Sequence, residues 1–81
     1  MVRIVLKCLE GGECSVVLEP YGAERSLTME DHLQLDIEVI DESALEVAYS
    51  EGCITLWLPA SVVSIRAANR LGDTIDLGLP L

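Results

Sequence analysis

Residues 44–58 read ALEVAYSEGCITLWL. Glu51-Gly52 is a two-residue turn signal at the middle of this stretch, and the segments Ala44 to Ser50 and Cys53 to Leu58 alternate on either side of it with the period of two that a strand requires. Register matters here because a slip of one residue moves every side chain to the other face. A two-residue turn pairs Tyr49 with Ile54, Val47 with Leu56 and Leu45 with Leu58, and that face is wholly apolar. The reverse face then carries Ala44, Glu46, Ala48 and Ser50 beside Cys53, Thr55 and Trp57, with Trp57, the only tryptophan, opposite Glu46. If a second sheet covers that side, Trp57 is core. If the side is open, Trp57 rimmed by Glu46 and Glu51 is the kind of aromatic anchor found at the centre of protein interfaces.

Working outward, Leu33, Leu35, Ile37 and Val39 alternate with Gln34, Asp36 and Glu38, a strand with one face buried and one in water. Similar segments recur at Val2 to Leu9, Cys14 to Glu19, Val62 to Ala67 and Thr74 to Leu77, separated by turn residues. The whole chain reads as one all-β domain, residues 1–81: a small antiparallel barrel or sandwich of six to eight short strands, with room for one helical turn. At the first turn, a three-residue loop Glu10-Gly11-Gly12 makes a hairpin that sets Ile4, Leu6 and Cys8 opposite Leu18, Val16 and Cys14, with Arg3 opposite Glu19 and Gly12 at the left-handed position. Pro20-Tyr21-Gly22 is a turn, followed by a short extended piece around Arg25 to Thr28. Thr28-Met29-Glu30-Asp31 reads as one capped helical turn, the Thr28 hydroxyl accepting from the Asp31 amide. Asp41-Glu42-Ser43 is a further turn. Ser61 to Leu71 fits either a capped helix or, preferred for its Val62, Val63 and Ile65, a strand pairing Ile65 with Leu77, Ala67 with Ile75 and Arg66 with Asp76.

Composition narrows the function classes. The chain has 81 residues, so only roughly 60% of its unfolded surface leaves water on folding. Half of it is hydrophobic (51%) yet Phe is absent and aromatics are 4%, so small aliphatic side chains fill the interior. Fourteen acidic residues against five basic ones give a net charge of −9, which repels phosphate backbones and argues against nucleic acid while leaving a basic partner open. No stretch approaches the roughly 20 apolar residues of a membrane span, and Met1 to Leu9 alternates with Arg3 and Lys7 instead of forming a signal-peptide core. The expectation is a cytoplasmic protein with no membrane partner. Cys8, Cys14 and Cys53 are an odd number, which favours reduced thiols acting as small hydrophobes over a disulfide framework.

No catalytic or cofactor motif is present. Zinc would need ligands at closer spacing than Cys8, Cys14, Cys53 and His32 offer, so no metal is expected. His32 is the only imidazole, reading as a surface residue, and the acidic strand face of Asp36 and Glu38 reads as solvated. The first expectation for function is therefore a non-catalytic interaction module without cofactors, binding through Trp57, Thr55, Glu46 and Cys53. An acidic inhibitor or immunity-type protein that neutralises a basic enzyme is one concrete form. A second is a structural subunit of a homo-oligomer or larger assembly; self-association, most simply a homodimer, would cover the apolar surplus of Val5, Val17, Leu9 and the tail Leu77-Gly78-Leu79-Pro80-Leu81. A third is a thiol enzyme pairing Cys53 or Cys8 with His32.

Overall fold

A computed structural model describes residues 1–8, 12–28 and 31–80. The alternating segments form strands β1 (Val2–Lys7), β2 (Glu13–Glu19), β3 (Ala23–Thr28), β4 (His32–Val39), β5 (Glu46–Ser50), β6 (Cys53–Trp57), β7 (Val62–Ala68) and β8 (Thr74–Ile75). They make two four-stranded sheets, ordered β1-β4-β7-β8 and β3-β2-β6-β5. The architecture is all-β as expected, and of the two forms the pattern allowed, barrel or sandwich, it is the sandwich. Glu42–Ala44 is a single 3-10 turn, held by the Asp41 carboxylate, which accepts from the Ser43 N–H at 3.1 Å.

Each sheet turns its apolar face inward. Leu33, Leu35, Ile37 and Val39 are all buried on β4, as their alternation requires, and they pack against Val16, Leu18, Leu27 and Leu56 of the other sheet. Ser61 to Leu71 is strand and turn, not helix, and Ala67 pairs with Ile75 as expected. The further pairs Ile65 with Leu77 and Arg66 with Asp76 are not made, because β8 stops at Ile75 and the Asp76 carboxylate instead accepts from the Gly78 N–H at 2.8 Å. That turn brings the tail back over the domain. Leu77 and Leu79 then pack half-buried against the core and line a cleft of about 190 Å³ with Ile65, Ala67 and Ile75, so the chain itself covers part of their apolar surface.

The expected first hairpin is not formed. β1 and β2 belong to different sheets: Ile4 pairs with Leu35 and Leu6 with Leu33, whereas Val16 lies between Arg25 and Ile54. Arg3 accordingly faces Asp36 instead of Glu19. The faces were assigned correctly and the neighbours were not, because apolar sides of β1 and β2 meet across the core and not edge to edge. Glu10 and Gly11 of the proposed three-residue loop lie outside the described residues, as do Leu9 and Leu81 of the apolar surplus. Cys8 and Cys14 do come together, with Cα atoms 5.7 Å apart, but as a disulfide linking the two sheets. The reading of these two as reduced thiols is thereby corrected; Cys53 is the free one among the described cysteines.

Three smaller differences follow from the same layering. β2 and β6 pair in parallel, alone among the described strand pairs, since the β4 excursion into the other sheet intervenes between them. Val47 and Tyr49 share a face with Leu56 and Leu58 but are 54% and 74% exposed, because β5 is the edge of its sheet. At Thr28 the roles are reversed, the hydroxyl donating to the Asp31 carboxylate at 2.8 Å while the Asp31 N–H bonds the Thr28 carbonyl at 3.1 Å; Met29 and Glu30 lie outside the described residues.

Candidate functional site: the outer face of the β3-β2-β6-β5 sheet

The β5–β6 hairpin folds in the register its pattern demands over Glu46 to Trp57, but Ala44 belongs to the 3-10 turn instead of the strand, and the expected pair of Leu45 with Leu58 is not made, the Leu58 N–H bonding the Glu19 carbonyl. Tyr49 faces Ile54, Val47 faces Leu56 and Glu46 faces Trp57. Gly52 takes a φ of +71° at the second turn position, a conformation open to glycine at little strain. Leu56 is fully buried while Trp57, the next residue, is 46% exposed, so the tryptophan stands on the outer side of the sheet. Among the described residues no second layer covers it.

What the hairpin alone does not reveal is the strand on its other flank. The parallel pairing places Glu19 beside Trp57, Val17 beside Thr55 and Ser15 beside Cys53, and the bond from the Leu58 N–H to the Glu19 carbonyl (2.8 Å) fixes that end of the ladder. Trp57 thus lies in a cross-strand row between two carboxylates, Glu19 and Glu46. The next row outward is Glu24, Val17, Thr55 and Ala48, and the one beyond is Ser26, Ser15, Cys53 and Ser50. Glu13, opposite Thr28, completes the same face. Small side chains, half-buried on β2 and β6 and exposed on β3 and β5, therefore extend from one large aromatic, and four glutamates share the face.

Charge is divided unequally between the two outer faces. Arg3, Lys7 and Arg66 all project from the outer side of the β1-β4-β7-β8 sheet, where Asp36 sits between Arg3 and Arg66. The Arg3 Nε–H donates to Asp36 Oδ1 at 2.7 Å and its Nη2 to Oδ2 at 3.3 Å, a forked pair. That hydrogen bond, against some desolvation and with the help of the Arg3 and Arg66 charges, holds the Asp36 carboxyl below its ordinary range. Arg25 is on the core side of edge strand β3, in register with Val16, and Arg70 is in the turn after β7. None of the five basic residues projects from the Trp57 face.

Of the residues singled out in the sequence, Trp57, Thr55, Cys53 and Glu46 are brought together on this face. His32 is not: it starts β4 in the other sheet and lines a small cleft of about 100 Å³ with Arg25, Asp31 and Asn69. Cys8 is engaged in the disulfide and offers no thiol, and the Cys53 thiol, with the Thr55 hydroxyl as its neighbour at 3.9 Å, lies on the other sheet from the imidazole. Among the described residues no three His, Cys, Asp or Glu side chains cluster as a metal site. Glu19, Val17, Glu13 and Glu24 were missed in the sequence, since no local signal announces that β2 lies next to β6. Comparison with family models, with curated proteins and with solved structures gives no match for this chain.

Proposed function

We propose that this chain is a non-catalytic interaction module that binds a basic protein through the outer face of the β3-β2-β6-β5 sheet. The observation that carries this reading is the segregation of charge: the face that exposes the sole tryptophan bears Glu13, Glu19, Glu24 and Glu46 and no basic residue. Trp57 between Glu19 and Glu46 offers an arginine or lysine both a ring face and two flanking carboxylates, which is how a cation–π contact gains strength at a partly desolvated site. The half-buried, uncharged side chains of Val17 and Thr55 supply the drier centre, and the glutamates supply the rim. An inhibitor or immunity-type protein that caps a basic enzyme is the concrete form that such a face suits.

Trp57 is its own reporter, being the only tryptophan. Titration with an arginine-rich peptide is expected to change Trp57 fluorescence at low salt, with affinity falling as ionic strength rises. Glu19→Gln with Glu46→Gln should flatten the salt dependence, and Trp57→Ala, read by calorimetry, should weaken binding about thirtyfold, the loss of a hot-spot anchor of about 2 kcal/mol. Binding that survives both changes unaltered, or no response to the cationic peptide at all, would sink the proposal.

A further inference from the structure

Each sheet of the sandwich has two edges, and three of the four carry recognisable protection against strand addition. β1 bears Arg3 and Lys7, β3 bears Glu24 and Arg25 side by side, and β8 is only two residues long. β5 has none of this. Its five residues, Glu46-Val47-Ala48-Tyr49-Ser50, are all exposed, with one charge at one end and neither lysine, proline nor bulge.

The backbone of β5 is ready to pair. Ser50 and Cys53 flank a two-residue turn and are therefore a hydrogen-bonded pair, so alternation commits the backbone groups of Ser50, Ala48 and Glu46 to β6. Those of Val47 and Tyr49 point away from the sheet. We infer that β5 is a homodimer edge, pairing antiparallel with β5 of a second copy about a two-fold axis at Ala48. In that register Val47 meets the partner's Tyr49 through the free backbone groups of both, and their side chains continue one apolar ledge from copy to copy. Charge selects this register over its neighbours, since Glu46 then faces the partner's Ser50 and stays away from the partner's Glu46. The second copy fits because the strand is complementary to itself in pattern, charge and hydrogen bonding together. Pairing uses up both free edges and closes the assembly. The dimer goes beyond the binding reading and leaves Trp57 untouched, so that two acidic faces stand side by side on one continuous sheet.

Sedimentation of the whole chain over a wide concentration range tests this, at low and at high salt. Mass is expected to rise with concentration, and the dimer to strengthen with salt because two chains of net charge −9 repel one another. That is the opposite salt response to binding of a basic partner, so the two proposals fail independently. Val47→Lys, a change that leaves the fold intact at this exposed site, should abolish the dimer. Ala48→Cys in a Cys53→Ser background should give a covalent dimer on mild oxidation, because facing residues of a non-hydrogen-bonded pair lie about 4.5 Å apart. A strict monomer under all conditions overturns the inference. So does a dimer indifferent to Val47→Lys, or one in which Ala48→Cys does not cross-link.

Discussion

Leu56 and Val47 face each other across one hairpin, on the same side, and the alternation of the sequence treats them alike. The structure does not, since Leu56 is 0% exposed and Val47 54%. Leu56→Ala removes a side chain enclosed between β2 and β5, beside Leu18, where neighbouring strands cannot close the gap. The transfer and cavity contributions at such a site put its effect at about 3 to 4 kcal/mol. Val47→Ala deletes two methyl groups worth about 0.8 kcal/mol each when fully buried, and with about half of that burial already missing the loss is about 0.7 kcal/mol. At about 4 to 8 °C per kcal/mol for a domain of this size, the melting temperature should fall by about 3 to 6 °C for Val47→Ala and by well over 10 °C for Leu56→Ala. Urea unfolding followed by Trp57 fluorescence, at a concentration where the chain is monomeric, measures both with the slope m as a control. Equal losses within about 0.5 kcal/mol would refute the placement of β5 as an uncovered edge.

Two further outcomes are expected. Reduction of the Cys8–Cys14 bridge, which closes a short loop of sequence separation 6, should lower stability by about 2 kcal/mol through the entropy regained by the unfolded chain, and under denaturing, non-reducing conditions Cys53 alone should titrate as a thiol; three titrating thiols would contradict the bridge. Asp36 has a folded pKa below its unfolded one, so its contribution is present above the unfolded value of about 3.9 and is lost as pH falls through the folded value. The stability gap between the native chain and Arg3→Gln should accordingly hold steady from neutral pH down to about 4 and shrink below it; a gap that persists to the acid end of the titration would show that Arg3 acts on the fold by some route other than the Asp36 charge.

Much of this was legible in the residues. Alternation identified β4 and its buried Leu33, Leu35 and Ile37, and the Glu51-Gly52 turn fixed the β5–β6 register down to the Glu46–Trp57 pair. Short-range signals suffice there because a two-residue turn leaves a strand one partner and one register. The candidate site was half legible for the same reason. Trp57, Thr55, Cys53 and Glu46 came from the hairpin, whereas Glu19 and Val17 entered only through a parallel neighbour separated by three intervening strands.

The sequence by itself determined which way each side chain faces: period-two patterning assigns apolar residues inward and charges outward without reference to any neighbour. Ile4, Leu6, Val16 and Leu18 were placed on the core side correctly even though β1 and β2 were paired wrongly. Cys8 and Cys14 met in either arrangement because both point into the same core. Arg3 and Glu19 did not, because two outward residues on different sheets stand on opposite sides of the sandwich. Only the tertiary structure decided who sits beside whom, and with it that Arg3, Lys7 and Arg66 share one outer face while glutamates and no basic residue share the Trp57 face. Facing is set by local hydrophobicity. Adjacency is settled by how two layers share one core.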